Sequence, residues 1–329
     1  MAEAADAGVV RELLAPLSRF LENKALYEIV VNRPCEVLTE GAGGWASHHA
    51  PELTFAKLMR LARAIATYSN QAIDEQRPIL SATLPGEERI QIVIPPAALK
   101  ETVSITIRKP SSVTFSLDEL EKGGLFDVAS PEGPVTANRN LIELHRKGAY
   151  AEFLRGAVLA RKNIIISGAT GSGKTTLSKA LIRHIPDRER IISIEDTPEL
   201  VIAQPNHVRL FYSKGGQGTA KIGPKDLLES CMRMRPDRIL LQELRDGTAF
   251  YYIRNINSGH PGSITTVHAD SARLAVEQLT LLVKESESGK DLERSDIRDL
   301  LRVAVDIVIQ CKRINGRFHV TEICIDPLE

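Results

Sequence analysis

The sequence lacks the features that mark membrane-spanning and disulfide-bonded proteins. No apolar run approaches the roughly 18 residues that a membrane-spanning helix needs. The first residues lack the basic region and apolar core of a signal peptide. Cysteine is scarce, and no two cysteines form a C-x-x-C pair, which argues against a zinc site and a disulfide framework. The four are Cys35, Cys231, Cys311 and Cys324. We therefore expect a cytoplasmic protein.

Net charge is also missing, because 42 Lys and Arg residues balance 42 Asp and Glu residues. No stretch interleaves basic with aromatic residues, which make up only 5% of the chain. These absences argue against a nucleic-acid helicase and against direct sequence-specific binding of nucleic acid. What is present is a chain of 329 residues, 43% of them hydrophobic, which is enough for two domains with separate cores.

The hydrophobic pattern changes along the chain and divides it into three parts. Residues 1–108 mix short strands with amphipathic helices and predict an α+β N-terminal domain. Residues 109–140 are rich in proline, glycine and serine and predict a linker with one short helix over 117–122. Residues 141–329 alternate strands with helices, which predicts a mostly parallel sheet covered on both faces and a final hairpin that turns at Asn315-Gly316. The parallel strands are predicted over 163–167, 190–194, 238–242 and 263–267.

A phosphate-binding pattern, G-x-x-x-x-G-K-[ST], lies between the first of these strands and the next helix. Glycines let the backbone approach phosphates closely, and the positive end of the helix dipole favours an anion. We expect Lys174 to reach the β- and γ-phosphates of ATP and the Thr175 hydroxyl to hold Mg²⁺. The predicted nucleotide-binding residues are Gly168, Ala169, Thr170, Gly171, Ser172, Gly173, Lys174, Thr175 and Thr176.

The other three parallel strands each end in ionisable residues, at the sheet edge where such folds bind ligands. Glu195, Asp196 and Glu199 follow the second strand, and any of them is a candidate for orienting the attacking water. Asp196 also suits a helix start. Glu243 follows an apolar strand as a Walker B acid does, so we expect it to hold Mg²⁺. His268 follows the fourth strand and is a candidate sensor or hydrogen-bond donor near the γ-phosphate.

Two histidines, His260 and His268, lie eight residues apart in a glycine-rich segment. Such spacing raises the question of a metal site. No acidic or cysteine cluster joins them in the sequence, so we expect no metal ligation by this pair.

Four segments in this order resemble the secretion-traffic ATPases: the P-loop 168–175, the acidic box 191–199, the Walker B segment 234–245 and the histidine box 259–270. Within that superfamily the segments 86–93 and 103–111 are most similar to the VirB11 family of type IV secretion ATPases. The resemblance covers about residues 20 to 325. It implies a homo-hexameric ring of RecA-like C-terminal domains beside a ring of smaller α+β N-terminal domains, with nucleotide between the two domains.

The resemblance also implies roles for individual residues. It makes Glu199 the catalytic glutamate of the acidic box and leaves the roles of Glu195 and Asp196 open. It brings Arg89 and Arg108 to the nucleotide phosphates. The alternative for both arginines is simple pairing with carboxylates, such as Glu87 or Glu101. The catalytic set expected on this basis is Lys174, Glu199, Glu243, His268 and Arg108.

The expected function is therefore ATP hydrolysis that powers substrate export and pilus assembly by a type IV secretion system, in protein transport or conjugation. Its expected partners are other cytoplasmic and inner-membrane components of that machine, through which the protein would lie peripherally at the inner membrane. A type II secretion or type IV pilus motor is the alternative. The Arg89 segment and the absence of a four-cysteine zinc module count against it. A non-hydrolysing scaffold is disfavoured because Lys174, Glu199 and Glu243 are all present. The cargo and the linker's route, within or between subunits, stay open.

Overall fold

An antiparallel sheet with helices on one face forms the first part of the chain. The structure is a computed structural model that describes residues 2–110, 116–127 and 136–325. The strands run in the order β3-β2-β1-β6-β5-β4. Their bounds are β1 Leu26–Val31, β2 Glu36–Gly41, β3 Gly44–His49, β4 Ile79–Thr83, β5 Arg89–Val93 and β6 Ser104–Arg108. The helices are α1 Ala2–Leu13, α2 Ser18–Leu21 and α3 Phe55–Tyr68, and a short 3-10 turn at Ala15–Leu17 precedes α2.

The two faces of β6 are both buried. Ile105 and Ile107 pack into the core beneath α3, which presents Leu58 and Ile65 to them. Period-two alternation predicts this apolar face. The opposite face would be solvated in an isolated sheet, yet Ser104 and Thr106 are only 1% exposed. The second part of the chain therefore covers the polar face of the first sheet.

A second, mostly parallel sheet carries the P-loop. Its strands form two hydrogen-bonded groups, β10-β8-β9 and β11-β7-β12-β13. Side-chain hydroxyls join the two groups: Ser263 Oγ donates to Ile239 O at 2.6 Å and Thr266 Oγ1 to Gln242 O at 3.0 Å. The strands are β7 Ile164–Gly168, β8 Ile191–Glu195, β9 His207–Phe211, β10 Arg238–Leu241, β11 Ile264–Val267, β12 Ile307–Ile314 and β13 Arg317–Ile325.

Helices pack on both faces of this sheet and enclose two hydrophobic cores. They follow the short helix α4 Leu117–Lys122, which lies between the two sheets in sequence. Their bounds are α5 Thr136–Arg146, α6 Tyr150–Leu159, α7 Lys174–Ile182, α8 Pro224–Cys231, α9 Thr248–Ile256, α10 Ala272–Lys284 and α11 Arg294–Ala304. Within the described ranges, no helix has the length and apolar character needed to cross a bilayer.

The predicted fold class, an α/β P-loop domain with an α+β N-terminal domain, is confirmed. The alternation of strands and helices, α4 and the final hairpin lie where the sequence predicts them. The short strands β3 and β9 and the helices α5 and α6 were not predicted. The division into 1–108, 109–140 and 141–329 stays a prediction, and α5 runs across its boundary at residue 140.

A fully buried guanidinium joins the two sheets. Arg190 has no exposed surface, and its side chain reaches both sheets. It donates to Asn32 Oδ1 at 2.8 Å and Asn206 Oδ1 at 2.6 Å, and also to Thr106 Oγ1 and Met234 O. All four acceptors are neutral oxygens, so burial lowers the pKa of Arg190 to about 10.

We expect Arg190→Leu to destabilise the protein by about 3 kcal/mol, because it leaves several buried oxygen acceptors without a donor. The shift in the midpoint of urea unfolding measures this loss. Arg188→Ala is the matched control, since Arg188 is exposed two residues earlier, and we expect a change within about 0.5 kcal/mol. Equal midpoints for the two variants would show that the buried guanidinium does not hold the sheets together.

Candidate active site

The P-loop presents unpaired backbone donors at the start of α7. Three of its glycines have positive φ angles: 154° at Gly168, 73° at Gly171 and 94° at Gly173. Residues with a Cβ rarely adopt such angles. Within the described residues, the amides of Gly171 and Gly173 donate no hydrogen bond. The loop therefore offers free N–H groups at a helix N-terminus, which is where an anion binds.

Lys174 is folded back over this loop. Its side-chain nitrogen donates to Gly168 O at 2.7 Å and Ala169 O at 3.0 Å and lies 3.4 Å from His268 Nδ1. The residue is only 8% exposed. Burial lowers the pKa of Lys174, and the nearby Glu243 carboxylate partly opposes that shift. Phosphate oxygens placed in the loop could take over from these two carbonyls as acceptors.

Glu243 lies at the centre of a charged network at the carboxyl end of β10. Its Oε1 is 2.7 Å from His268 Nε2, and its Oε2 accepts from Arg245 at 2.6 Å. The same guanidinium donates to Asp196 Oδ2 at 2.7 Å. Burial raises the pKa of Glu243, but its hydrogen bond to Arg245 and that residue's charge outweigh burial and hold the pKa below its usual range. An ionised carboxylate therefore stands beside the P-loop.

The acidic box contains two glutamates in opposite environments. Glu195 ends β8 with no exposed surface and accepts five hydrogen bonds, two of them from Arg209 at 2.7 and 2.8 Å. The other donors are Ser193 Oγ and the amides of Glu199 and Leu200. Glu199 itself is exposed. Of the two glutamates, Glu199 is therefore the one that is open to solvent.

Arg89 and Arg108 lie away from the P-loop of their own chain. They face each other in the register of β5 and β6, and Arg108 Nε donates to Glu28 Oε1 at 2.5 Å. Arg108 shares a cleft with Arg235, which forms an ion pair with Glu40. Arg235 precedes β10, whereas Glu243 follows it, so this cleft lies at the opposite end of the strand from the P-loop. Arg108 does pair with a carboxylate, but from the neighbouring strand β1 and not from Glu87 or Glu101.

The two histidines of the glycine-rich segment are held apart by β11. His260 Nδ1 lies 2.9 Å from Pro236 O, before β10, and burial lowers its pKa. His268 lies after β11, next to Glu243. Among the side chains that the structure describes, no cluster of three or more His, Cys, Asp or Glu groups could hold a metal ion alone.

The final hairpin forms one wall of the P-loop. Phe318 on β13 lies so close to Gly173 that a Cβ there would meet three atoms of its side chain at 3.1–3.3 Å. The side chain remains 57% exposed. Three residues of this edge were not singled out from the sequence: Arg209, Arg245 and Phe318. The position of Arg245, two residues beyond Glu243, is a signal that could have identified it. Arg209 and Phe318 reach the site only through strand pairing.

Comparison with known proteins agrees with this geometry. A family model described as "Type II/IV secretion system protein" matches residues 135–320. "Type IV secretion system protein VirB11" of Bartonella quintana (strain Toulouse) is 60% identical over 98% of this chain and 94% of its own. The chain belongs to the VirB11 family of type IV secretion system ATPases. The resemblance read from the sequence motifs is confirmed.

A further relative and a solved structure also place the chain in the VirB11 family. The VirB11 protein of Brucella suis biovar 1 (strain 1330) is 42% identical over 95% of this chain and 89% of its own. The fold matches the crystal structure of the VirB11 ATPase from the Brucella suis type IV secretion system in complex with sulphate, with a TM-score of 0.94. That match has 41% identity and covers 99% of this chain and 97% of the other. These matches favour this family over the type II secretion and type IV pilus motors.

The contact between Phe318 and Gly173 predicts different losses from two glycine substitutions. Gly171→Ala meets only the strain of its positive φ, about 1 kcal/mol, because no atom lies near the added methyl group. Gly173→Ala adds the contact with Phe318, so we expect a larger drop in the free energy of unfolding, measured with urea.

Most of the surplus loss should disappear when Gly173→Ala is combined with Phe318→Ala, because that change removes the ring atoms and leaves only the Cβ contact at 3.3 Å. Equal losses for Gly171→Ala and Gly173→Ala in the wild-type background would mean that the hairpin does not press on the loop.

Proposed function

We propose that the protein hydrolyses ATP at this edge of the sheet and so powers a type IV secretion system. One observation carries the proposal: the P-loop lysine, the Walker B acid and the histidine form a continuous chain of contacts. Lys174 lies 3.4 Å from His268, which in turn lies 2.7 Å from Glu243. The names of the VirB11 relatives support the assignment to secretion.

Phosphate binding would release Lys174 from its resting contacts. The β- and γ-phosphate oxygens would replace the carbonyls of Gly168 and Ala169 as acceptors, and the ammonium would neutralise negative charge there. The free amides of the loop would bind the same oxygens. Thr176, which follows Thr175 in α7, would also contribute to nucleotide binding. Thr175 and Glu243 would hold Mg²⁺, which would supply further charge neutralisation.

The attacking water needs orientation more than chemical activation. Glu199 is the acid that we propose for this role, because it is exposed while Glu195 is saturated with donors. His268 would act as a sensor of the γ-phosphate, since its ring contacts both Lys174 and Glu243. Arg245 would keep Glu243 ionised until a metal ion competes for the same carboxylate.

The N-terminal arginines suggest an arrangement of several subunits. Arg108 is half exposed and lies at the opposite end of β10 from its own P-loop. We propose a homo-hexamer in which Arg89 and Arg108 of one subunit close over the nucleotide of its neighbour. An arginine in that position could grip phosphate oxygens with two donors and exclude water from the site. In this arrangement residues 1–108 would form the N-terminal domain, 109–140 the linker and 141–329 the ATPase domain.

We further propose that the ring works at the cytoplasmic face of the inner membrane. ATP is available there, and peripheral attachment through other components would couple the ring to the secretion machine. Export substrates and pilus subunits are the cargo classes that this assignment implies.

The direct test of the ATPase assignment is Lys174→Ala. Loss of the ammonium should lower turnover at least about 100-fold, because charge neutralisation is central to phosphoryl transfer. Steady-state phosphate release measures it, and Lys179→Ala, further along α7, is the control that should retain activity. Near-normal hydrolysis by Lys174→Ala, in a sample free of contaminating ATPase, would contradict the proposal.

Subunit mixing tests whether Arg108 acts on a neighbouring site. We expect Arg108→Ala and Lys174→Ala each to be impaired alone, and their co-expressed mixture to regain hydrolysis. About one quarter of the sites in a randomly mixed ring would combine an intact P-loop with an intact arginine. If Arg108 acted only within its own chain, every site in the mixture would carry a defect and no activity would return.

A further inference from the structure

We infer that Glu195 and Arg209 form a positioning pair that fixes the backbone of Glu199 for catalysis. The inference rests on the role proposed above for Glu199. It gives Glu195, whose role the sequence leaves open, a different role from that of Glu199.

Glu195 is unsuited to direct catalysis. Its carboxylate has no exposed surface, and both oxygens are occupied by donors. Oε1 accepts from Ser193 Oγ at 2.7 Å and Arg209 Nε at 2.8 Å. A carboxylate with its acceptor sites filled in this way has no lone pair directed at a water molecule.

The other oxygen of Glu195 holds the loop that carries Glu199. Oε2 accepts from the amide of Glu199 at 3.1 Å and the amide of Leu200 at 3.0 Å. Thr197 and Pro198, which precede these amides, are exposed and give the loop little packing. The amide of Glu199 also donates to Thr197 O at 2.8 Å, a bond within the loop itself. Glu195 and the buried Leu200 therefore anchor the two ends of the loop.

Arg209 makes this arrangement possible. It lies on β9, beside β8, and its guanidinium grips both oxygens of Glu195 at 2.7 and 2.8 Å. A buried carboxylate without a cation is strongly disfavoured, so loss of Arg209 would favour a rearrangement that turns Glu195 away. That change removes acceptors from the amides of Glu199 and Leu200. A lysine at this position offers a point charge and cannot reproduce the two-pronged grip.

The experiment is a double-mutant cycle of Arg209→Ala with Glu199→Gln. In the wild-type background we expect Arg209→Ala to lower kcat about 10- to 100-fold, because misplacement of a catalytic group by an ångström has effects of this size. The KM for ATP should stay within about twofold, since the P-loop is untouched. Arg209→Lys should show an intermediate kcat. In the Glu199→Gln background, single-turnover rates should show no further loss from Arg209→Ala.

A matched control separates positioning from general stability. Arg238 is fully buried and grips Glu189 through Nε and Nη2 at 2.6 and 3.1 Å, at the opposite end of the sheet. Arg238→Lys makes the same chemical change as Arg209→Lys. Both should lower the temperature of unfolding, but only Arg209→Lys should lower kcat.

Two outcomes would overturn the inference alone. The first is an equal loss from Arg209→Ala in both backgrounds, and the second is an equal loss of kcat in Arg238→Lys and Arg209→Lys. Wild-type turnover by Glu199→Gln would instead overturn the role proposed for Glu199, and this inference with it.

Discussion

Charge compensation at the ends of parallel strands is the constraint on which this site depends. Glu195 is fully buried and Glu243 is partly buried, and a carboxylate removed from water is costly unless a cation compensates it. Arg209 and Arg245 supply this compensation, each by hydrogen bonding to its carboxylate. The guanidinium of Arg245 also reaches Asp196, so two loops share one cation. The two arginines thus offset much of the negative charge of the carboxylates at this edge, which favours binding of a polyphosphate there.

Lys174 illustrates a second consequence of burial. A buried ammonium needs acceptors, and here the carbonyls of Gly168 and Ala169 supply them. This keeps the cation inside the loop and ready for phosphate, at the cost of a lowered pKa. In the proposed bound state, phosphate oxygens would accept from the same ammonium, so the exchange would need little rearrangement of the surrounding fold.

The sequence predicts those parts of the site that are local in the chain. The P-loop, Glu243 and His268 each follow a strand whose apolar pattern marks its end, so their common edge follows from the α/β fold. The apolar pattern gives no such signal for ion pairs between residues that are distant in the chain. Arg108 binds Glu28, 80 residues away, and Glu195 depends on Arg209, which lies on a five-residue strand that the pattern did not reveal. Family resemblance implied a role for Arg108 at a nucleotide but could not give its position within one chain.

Strand β9 contacts both the acidic box and the segment that connects β5 to β6 in the first sheet. Phe211 N donates to Ala97 O at 2.8 Å, and Leu210 bridges to Ala98. Arg209 stands immediately before them, with its guanidinium 5.4 Å from the Phe211 ring. Because Arg209 directly precedes the residues that contact Ala97 and Ala98, a shift of that connection would also displace the guanidinium that holds Glu195. The acidic box is therefore tied to the first sheet through β9.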